Sequence, residues 1–116
     1  MAKKKDIRST FRKETFKRDG YRCVGCGLKA DPSNPEQLLD AHHITDRSEM
    51  PNGGYVVENG ISLCKNDKDG LMSCHMKAEQ FHISHGKRWY DGFHPDTLYK
   101  KIGSSKEAAI KASEKL

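Results

Sequence analysis

Long apolar runs are missing from this sequence. Nothing in its 116 residues approaches the roughly 20 consecutive apolar residues that a membrane-spanning helix needs. The opening Met-Ala-Lys-Lys-Lys has no hydrophobic stretch behind its charges, which a secretory signal requires. The expectation is a soluble, intracellular, cytoplasmic chain with no membrane partner. Apolar residues are scarce overall, at 34%, against roughly 45–50% for an ordinary domain on a count that includes glycine. Aromatics make up 8%, with a single tryptophan. A short chain of this kind builds a thin core, so a covalent or metal staple is expected to supplement it.

Charge is plentiful at 32%, and the net charge is +5. Residues 1–22 carry nine Lys or Arg against three Asp or Glu, residues 23–82 five against nine, and residues 83–116 seven against four. Basic flanks suit a polyanion, because each cation placed near a phosphate releases condensed counterions. An acidic middle that also holds histidines suits a divalent cation.

Residues 1–8 read as a basic, disordered leader. Thr10 to Gly20 reads as a short amphipathic helix with Ser9 or Thr10 as cap, Phe11 and Phe16 as apolar contacts and Gly20 as stop. Leu38 to Ile44 suits a strand, and Ile61-Ser62-Leu63 alternates as its partner would. Thr45 to Glu58, with Pro51-Asn52-Gly53-Gly54, reads as a long structured loop, which in a compact domain usually serves a function. His75 to His82 is composed of good helix formers. Pro95 can open another helix through Leu98, Tyr99 and Ile102. Ser104-Ser105-Lys106-Glu107 has capping-box spacing ahead of Ala108 to Leu116.

The cysteines are Cys23, Cys26, Cys64 and Cys74. With no secretory signal, disulfides are the lesser use. Cys23-Val24-Gly25-Cys26 holds two thiolates within reach of one tetrahedral Zn²⁺, and a second pair would close a Cys₄ site. That second pair is separated by a loop, Lys65 to Ser73, which must bring its ends together. A closed site of four sulfurs has no open position, so this zinc would be structural. A redox use of the Cys-x2-Cys turn would need a βαβ setting that the sequence does not offer.

His42-His43 is the most telling dipeptide. Neighbouring side chains on a strand diverge, so the two are expected to take different jobs, one on a metal and one on a water. Three separated segments then resemble the HNH endonucleases: Asp40-Ala41-His42-His43-Ile44, Asn59-Gly60-Ile61-Ser62-Leu63-Cys64, and Cys74-His75-Met76-Lys77-Ala78-Glu79. Phe16 to Gly27 is similar to the front of the zinc-containing members, and the likeness covers roughly residues 11–82.

The resemblance implies a small α+β, zinc-stapled domain with a ββα-metal (His-Me finger) core and flanking helices. The nuclease domain is expected at residues 9–94, with a helical tail, 95–116, packed on the same body. It implies His43 as general base, His42 and His75 as ligands of a catalytic metal, and Asn59 as a brace for the loop that orients His43 or as a weak ligand. Many members carry a second histidine four residues after the first on the helix; here that position is Glu79. At ~1.5 Å rise per residue, His75 and Glu79 stand about 6 Å apart, close enough to share an ion, whereas His75 and His82 stand about 10 Å apart. Glu79 is therefore the expected ligand and His82 the alternative, and a carboxylate there tilts preference toward Mg²⁺ or Mn²⁺.

The expected chemistry is hydrolysis of DNA phosphodiester bonds, leaving 5′-phosphate and 3′-hydroxyl ends as the resemblance implies. Arg12, Lys13, Lys17, Arg18, Arg22 and Arg47 are the expected phosphate contacts, which confer little sequence preference. A homodimer would set two sites on opposite strands. Lys87-Arg88-Trp89-Tyr90 puts cations beside aromatics, which suits base stacking. A sole tryptophan is more often buried, so Trp89 is expected to close the core. The competing reading is a non-catalytic zinc module that binds nucleic acid; it accounts for the cysteines and the basic flank but leaves His42, His43, Asn59 and His75 without a shared purpose.

Overall fold

The computed structural model describes residues 4–67 and 70–116. The first three residues of the basic leader, and Lys68 and Asp69 of the cysteine loop, lie outside the described residues. Among the described residues the chain is a small α+β unit of four helices and one two-stranded antiparallel sheet. The helices are α1 (Lys4–Arg18), α2 (Cys74–Ile83), α3 (Pro95–Lys101) and α4 (Lys106–Glu114), and the strands are β1 (Leu39–His43) and β2 (Gly60–Cys64). No helix among them is long and apolar enough to cross a membrane.

The leader is a correction. Residues 4–8 are the first turns of α1, and Ser9 and Thr10 lie inside the helix instead of capping it. Asp6 in the first turn and Lys17 and Arg18 in the last complement the helix dipole. Arg8 lies over the Tyr55 ring at 5.5 Å, which ties the early turns to the body. The expected stop does hold: Gly20 takes φ +69°, and Tyr21 N–H reaches back to Phe16 O at 2.9 Å.

Pairing runs Leu39 with Cys64, Ala41 with Ser62 and His43 with Gly60, alternating with Asp40 opposite Leu63 and His42 opposite Ile61. Side chains alternate across a sheet, so His43, Ala41 and Leu39 share one face and His42 and Asp40 the other. The first face meets α1. There Ser62 Oγ donates to Thr15 O at 3.4 Å, and a Cβ on Gly60 would stand 2.6 Å from both Phe11 and Thr15. The second face meets α2, where His75 and Glu79 gather around His42.

The long loop between the strands is three short 3₁₀ turns, Arg47–Glu49, Pro51–Gly54 and Val57–Asn59. The tail closes over it. Asn52 Nδ2 donates to Ser113 O at 3.0 Å, and Ser104 Oγ donates to Glu58 O at 2.8 Å. α4 is capped one residue later than the capping-box spacing suggests, with Ser105 Oγ accepting from Ala108 N–H at 3.1 Å. α2 likewise opens one residue early, at Cys74, with Ser73 as its cap.

Trp89 is the second correction, being 49% exposed. Leu98, Tyr99 and Ala109 of the tail are buried in the core instead. The close approach at Gly60 gives a first prediction. Gly60→Ala is expected to destabilise the fold by roughly 1–3 kcal/mol, the usual cost of overpacking, seen as a lower urea midpoint with an unchanged slope.

Candidate metal centres

The four cysteines converge. Their sulfurs lie within 4.8 Å of one another, and the Cys26 and Cys64 sulfurs are 3.8 Å apart. Sulfurs held ~2.3 Å from one tetrahedral zinc stand about 3.8 Å apart, so the spacing fits a metal and is far too long for a disulfide. Two backbone N–H groups already point at the sulfurs: Cys26 N–H at Cys23 Sγ, 3.4 Å, and Cys74 N–H at Cys64 Sγ, 3.3 Å. Cys23, Cys64 and Cys74 are buried and Cys26 is exposed. Burial pushes the Cys64 and Cys74 thiols up, and neighbouring cysteine sulfurs push Cys74 further in the same direction. Cys26 is lowered because hydrogen bonds from the Leu28 backbone and neighbouring sulfurs outweigh burial. A cluster that resists carrying several negative sulfurs on its own can hold a metal such as zinc, whose charge reverses that cost.

A second group forms where β1 faces α2. Ligating atoms of His42, His75 and Glu79 lie within 4.8 Å of one another. His42 is only 2% exposed, and both of its ring nitrogens lack a hydrogen-bond partner. Its Nδ1 sits 3.2 Å from Glu79 Oε1 in an orientation that makes no hydrogen bond, as two groups aimed at a common third atom would. His75 Nε2 lies 3.4 Å from the same Glu79 oxygen and 3.1 Å from Asp40 Oδ2. Burial drives the His42 pKa down, against the pull of Glu79, so the ring is neutral as a ligand must be. Burial also pulls on His75, but Glu79 and Asp40 outweigh it and raise its pKa. The two imidazoles, His42 first, hold the Glu79 carboxyl well below its usual range. The chemistry of this donor set fits one divalent cation.

His82, the alternative ligand, stands apart from that group. Its ring stacks on His42 at 5.4 Å between centroids, and its Nε2 lies 3.2 Å from His43 O. Through that contact it braces the end of β1 at the rim of the same pit. Asn59 is fully engaged as a brace and has no atom left for a metal. Its Oδ1 accepts from Thr45 N–H at 2.9 Å and from Tyr99 O–H at 2.7 Å, while its Nδ2 donates to Thr45 O and Gly54 O at 3.1 and 3.2 Å.

His43 points to the opposite side of β1. Phe11 stacks on its ring at 4.6 Å and Tyr55 meets it edge-on at 4.7 Å. Its Nε2 is buried without a hydrogen-bond partner. Burial, with His42 and Arg47 adding to it, lowers its pKa to about 4. His43 lines both a pit of about 180 Å³, shared with Asp40, His42, Asp46, His75, Glu79 and His82, and an open groove of about 270 Å³ floored by Arg8, Phe11, Arg12, Arg47 and Tyr55. The two cavities also share Asp40, Ala41 and Arg47, so the imidazole stands where the histidine-lined pit meets a groove with three arginines.

The six expected phosphate contacts divide. Arg47 lies in the groove, its guanidinium donating to Tyr55 Oη at 2.9 Å. Arg12 lines the groove and pairs with Glu36 at 2.7 Å, both side chains well exposed. Lys13 and Lys17 face a different groove, between α1 and the 32–36 loop. Arg22 pairs with Lys29 through its backbone at a bridge beside the Cys-x2-Cys turn. Arg18 is engaged within the fold. Its guanidinium is spent on Asp19 at 2.8 and 3.0 Å, Val57 O at 2.5 Å and Gly60 O at 2.6 Å, so it ties α1 to the start of β2. Three site residues escape a reading of the sequence: Asp40 beside His75, and Arg8 and Tyr55 in the groove. Asp40 is legible in hindsight, lying two residues before His42 and so on the same face of the strand.

No protein-family model, curated protein or solved structure matches this chain. The site therefore stands on its own geometry.

Two outcomes follow. The purified chain is expected to hold one zinc per molecule by elemental analysis, and Cys64→Ser is expected to lose that metal and the cooperative unfolding transition with it. In zinc-loaded protein without added Mg²⁺ or Mn²⁺, His43 is expected to titrate near pH 4 by NMR. Its folded pKa lies below the ordinary 6.5 of an unfolded chain, so its contribution is complete above pH 6.5 and is lost as pH falls toward 4. Thermal midpoints should drop across that window, and a His43 titrating at 6.5 would remove burial as the cause.

Proposed function

We propose that this chain is a metal-dependent endonuclease of the HNH type, hydrolysing DNA phosphodiester bonds, with β1, β2 and α2 as its ββα-metal unit. The observation that carries the reading is the strand on which His42 turns to His75 and Glu79 while His43 turns to the basic groove. A zinc module that only grips DNA has no use for a buried, unpartnered imidazole beside a carboxylate.

His42, His75 and Glu79 would hold one divalent cation, Mg²⁺ or Mn²⁺, with Asp40 close enough to His75 to orient its ring. Such an ion, when bound, supplies charge stabilisation for the phosphorane and the leaving oxygen. His43 is neutral at pH 7 and accepts the proton of the attacking water. Its Nε2 is shut off from solvent, so Nδ1 is the nitrogen that meets the water. A phosphodiester anion in the groove opposes the effect of burial and raises the basicity of that ring, as any nearby negative charge does. Arg47, Arg8 and Arg12 receive the substrate's phosphates, and Asn59 keeps Thr45, and through it the end of β1, from shifting under that load.

Nicking of supercoiled plasmid tests the reading. The wild type is expected to cleave with Mg²⁺ or Mn²⁺ and to stop reversibly on removal of that ion. His43→Ala is expected to lose roughly 10²–10⁴-fold in rate, the usual worth of a general base, with fold and zinc content unchanged. Glu79→Ala should lose activity that extra Mn²⁺ partly restores. Undiminished nicking by His43→Ala would remove it as the base.

A further inference from the structure

The loop after α2 reverses through two residues of positive φ, His85 at +54° and Gly86 at +80°. Ser84 ties it shut, its hydroxyl accepting from Arg88 N–H at 2.9 Å and donating to Arg88 O at 3.0 Å. The tied loop presents Lys87, Arg88, Trp89 and Tyr90 in succession, and with Gln80 of α2 they line an open cavity of about 510 Å³. Tyr90 is 44% exposed beside the half-exposed Trp89. A chain so short of apolar residues leaves its one tryptophan in water, at a cost that a bound partner would recover. The indole is held without being covered: His94 meets it at 4.8 Å and 77°, Phe81 at 6.1 Å and 56°, and neither stacks on it. Asp91 is the one acidic residue between Ile83 and Pro95.

We propose that this loop is a base-stacking platform. Trp89 and Tyr90 take an unpaired nucleobase, and Lys87 and Arg88 take its neighbouring phosphates. Planar rings beside cations match the alternation of base and phosphate along a single strand; an acidic peptide would engage the cations and leave the rings bare. A path of ring contacts, His42 to His82 at 5.4 Å, His82 to Phe81 at 5.8 Å and Phe81 to Trp89 at 6.1 Å, links the platform to the cation pit. The straight-line separation is therefore no more than about 17 Å, the length of about five base steps at ~3.4 Å each. The substrate class is then DNA with an unpaired base several nucleotides from the cleaved bond, a placement that rests on the nuclease reading, whereas the stacking itself does not.

Binding of fluorescein-labelled (dT)12 to the full, zinc-loaded chain, without Mg²⁺ or Mn²⁺, tests the platform by anisotropy and by the emission of its sole tryptophan. Saturating (dT)12 is expected to quench Trp89. Trp89→Ala is expected to weaken (dT)12 binding about ten-fold or more, Trp89→Phe to recover most of that loss, and affinity for a blunt duplex of equal length to change less than about two-fold. Replacing Lys87 and Arg88 together by Ala should lower the slope of log K against log salt by about 1.4. Equal affinity of Trp89→Ala and wild type for (dT)12, or unmoved emission at saturation, would overturn the proposal. Plasmid nicking on the same preparations separates the two ideas. Quenching without nicking sinks the nuclease and leaves the platform, and nicking without quenching sinks the platform alone.

Discussion

A single buried amide holds the two halves of the site in place. Asn59 ends the last 3₁₀ turn before β2, and its backbone carbonyl accepts from Ile44 N–H at 2.9 Å. Its side chain closes on both backbone polar groups of Thr45 and on Gly54 and Tyr99. Every donor and acceptor of that amide is satisfied in the dry interior, where an unmet polar group costs on the order of 1–3 kcal/mol. The exit of β1, the entry to β2, the intervening loop and the tail helix α3 therefore meet at one residue. Displacing it would release His43 from one side and the basic groove from the other.

The thin core is organised around that junction. Phe11 is both a core residue and the surface on which His43 stacks, so the apolar packing that stabilises α1 also depresses the basicity of the imidazole. Gly60 lets α1 approach closely enough for this, and Arg18 fastens the helix to the same strand end. The cysteine cluster acts at the far end, joining the 23–26 turn, the end of β2 and the start of α2. Stability and site geometry are in this way supplied by the same few contacts, as expected where the apolar fraction is so low.

Much of this was legible in the residues. The period-two divergence of His42 and His43, the i to i+4 spacing of His75 and Glu79, and the Cys-x2-Cys turn each have a local geometric meaning, and each segment folds as that meaning requires. What escaped depends on contacts distant in sequence. Arg18 looks like any exposed lysine or arginine of a basic helix until Val57 and Gly60 come round to receive it. Trp89 looks like core until the tail supplies Leu98 and Tyr99 in its stead. The place of Arg8 over the Tyr55 ring likewise depends on a residue nearly fifty positions away. Nothing in the composition of a basic leader marks Arg8 as part of the groove, because its partner ring lies on a distant loop.

The alternation along β1 makes the arrangement all-or-none. Sliding β1 by one position against β2 would send His42 to the helix α1 and His43 to the carboxylate of Glu79, exchanging their surroundings entirely. No intermediate register exists in which both are half right. A single added residue between Leu39 and His43 would therefore exchange the surroundings of the two imidazoles outright instead of loosening them by degrees.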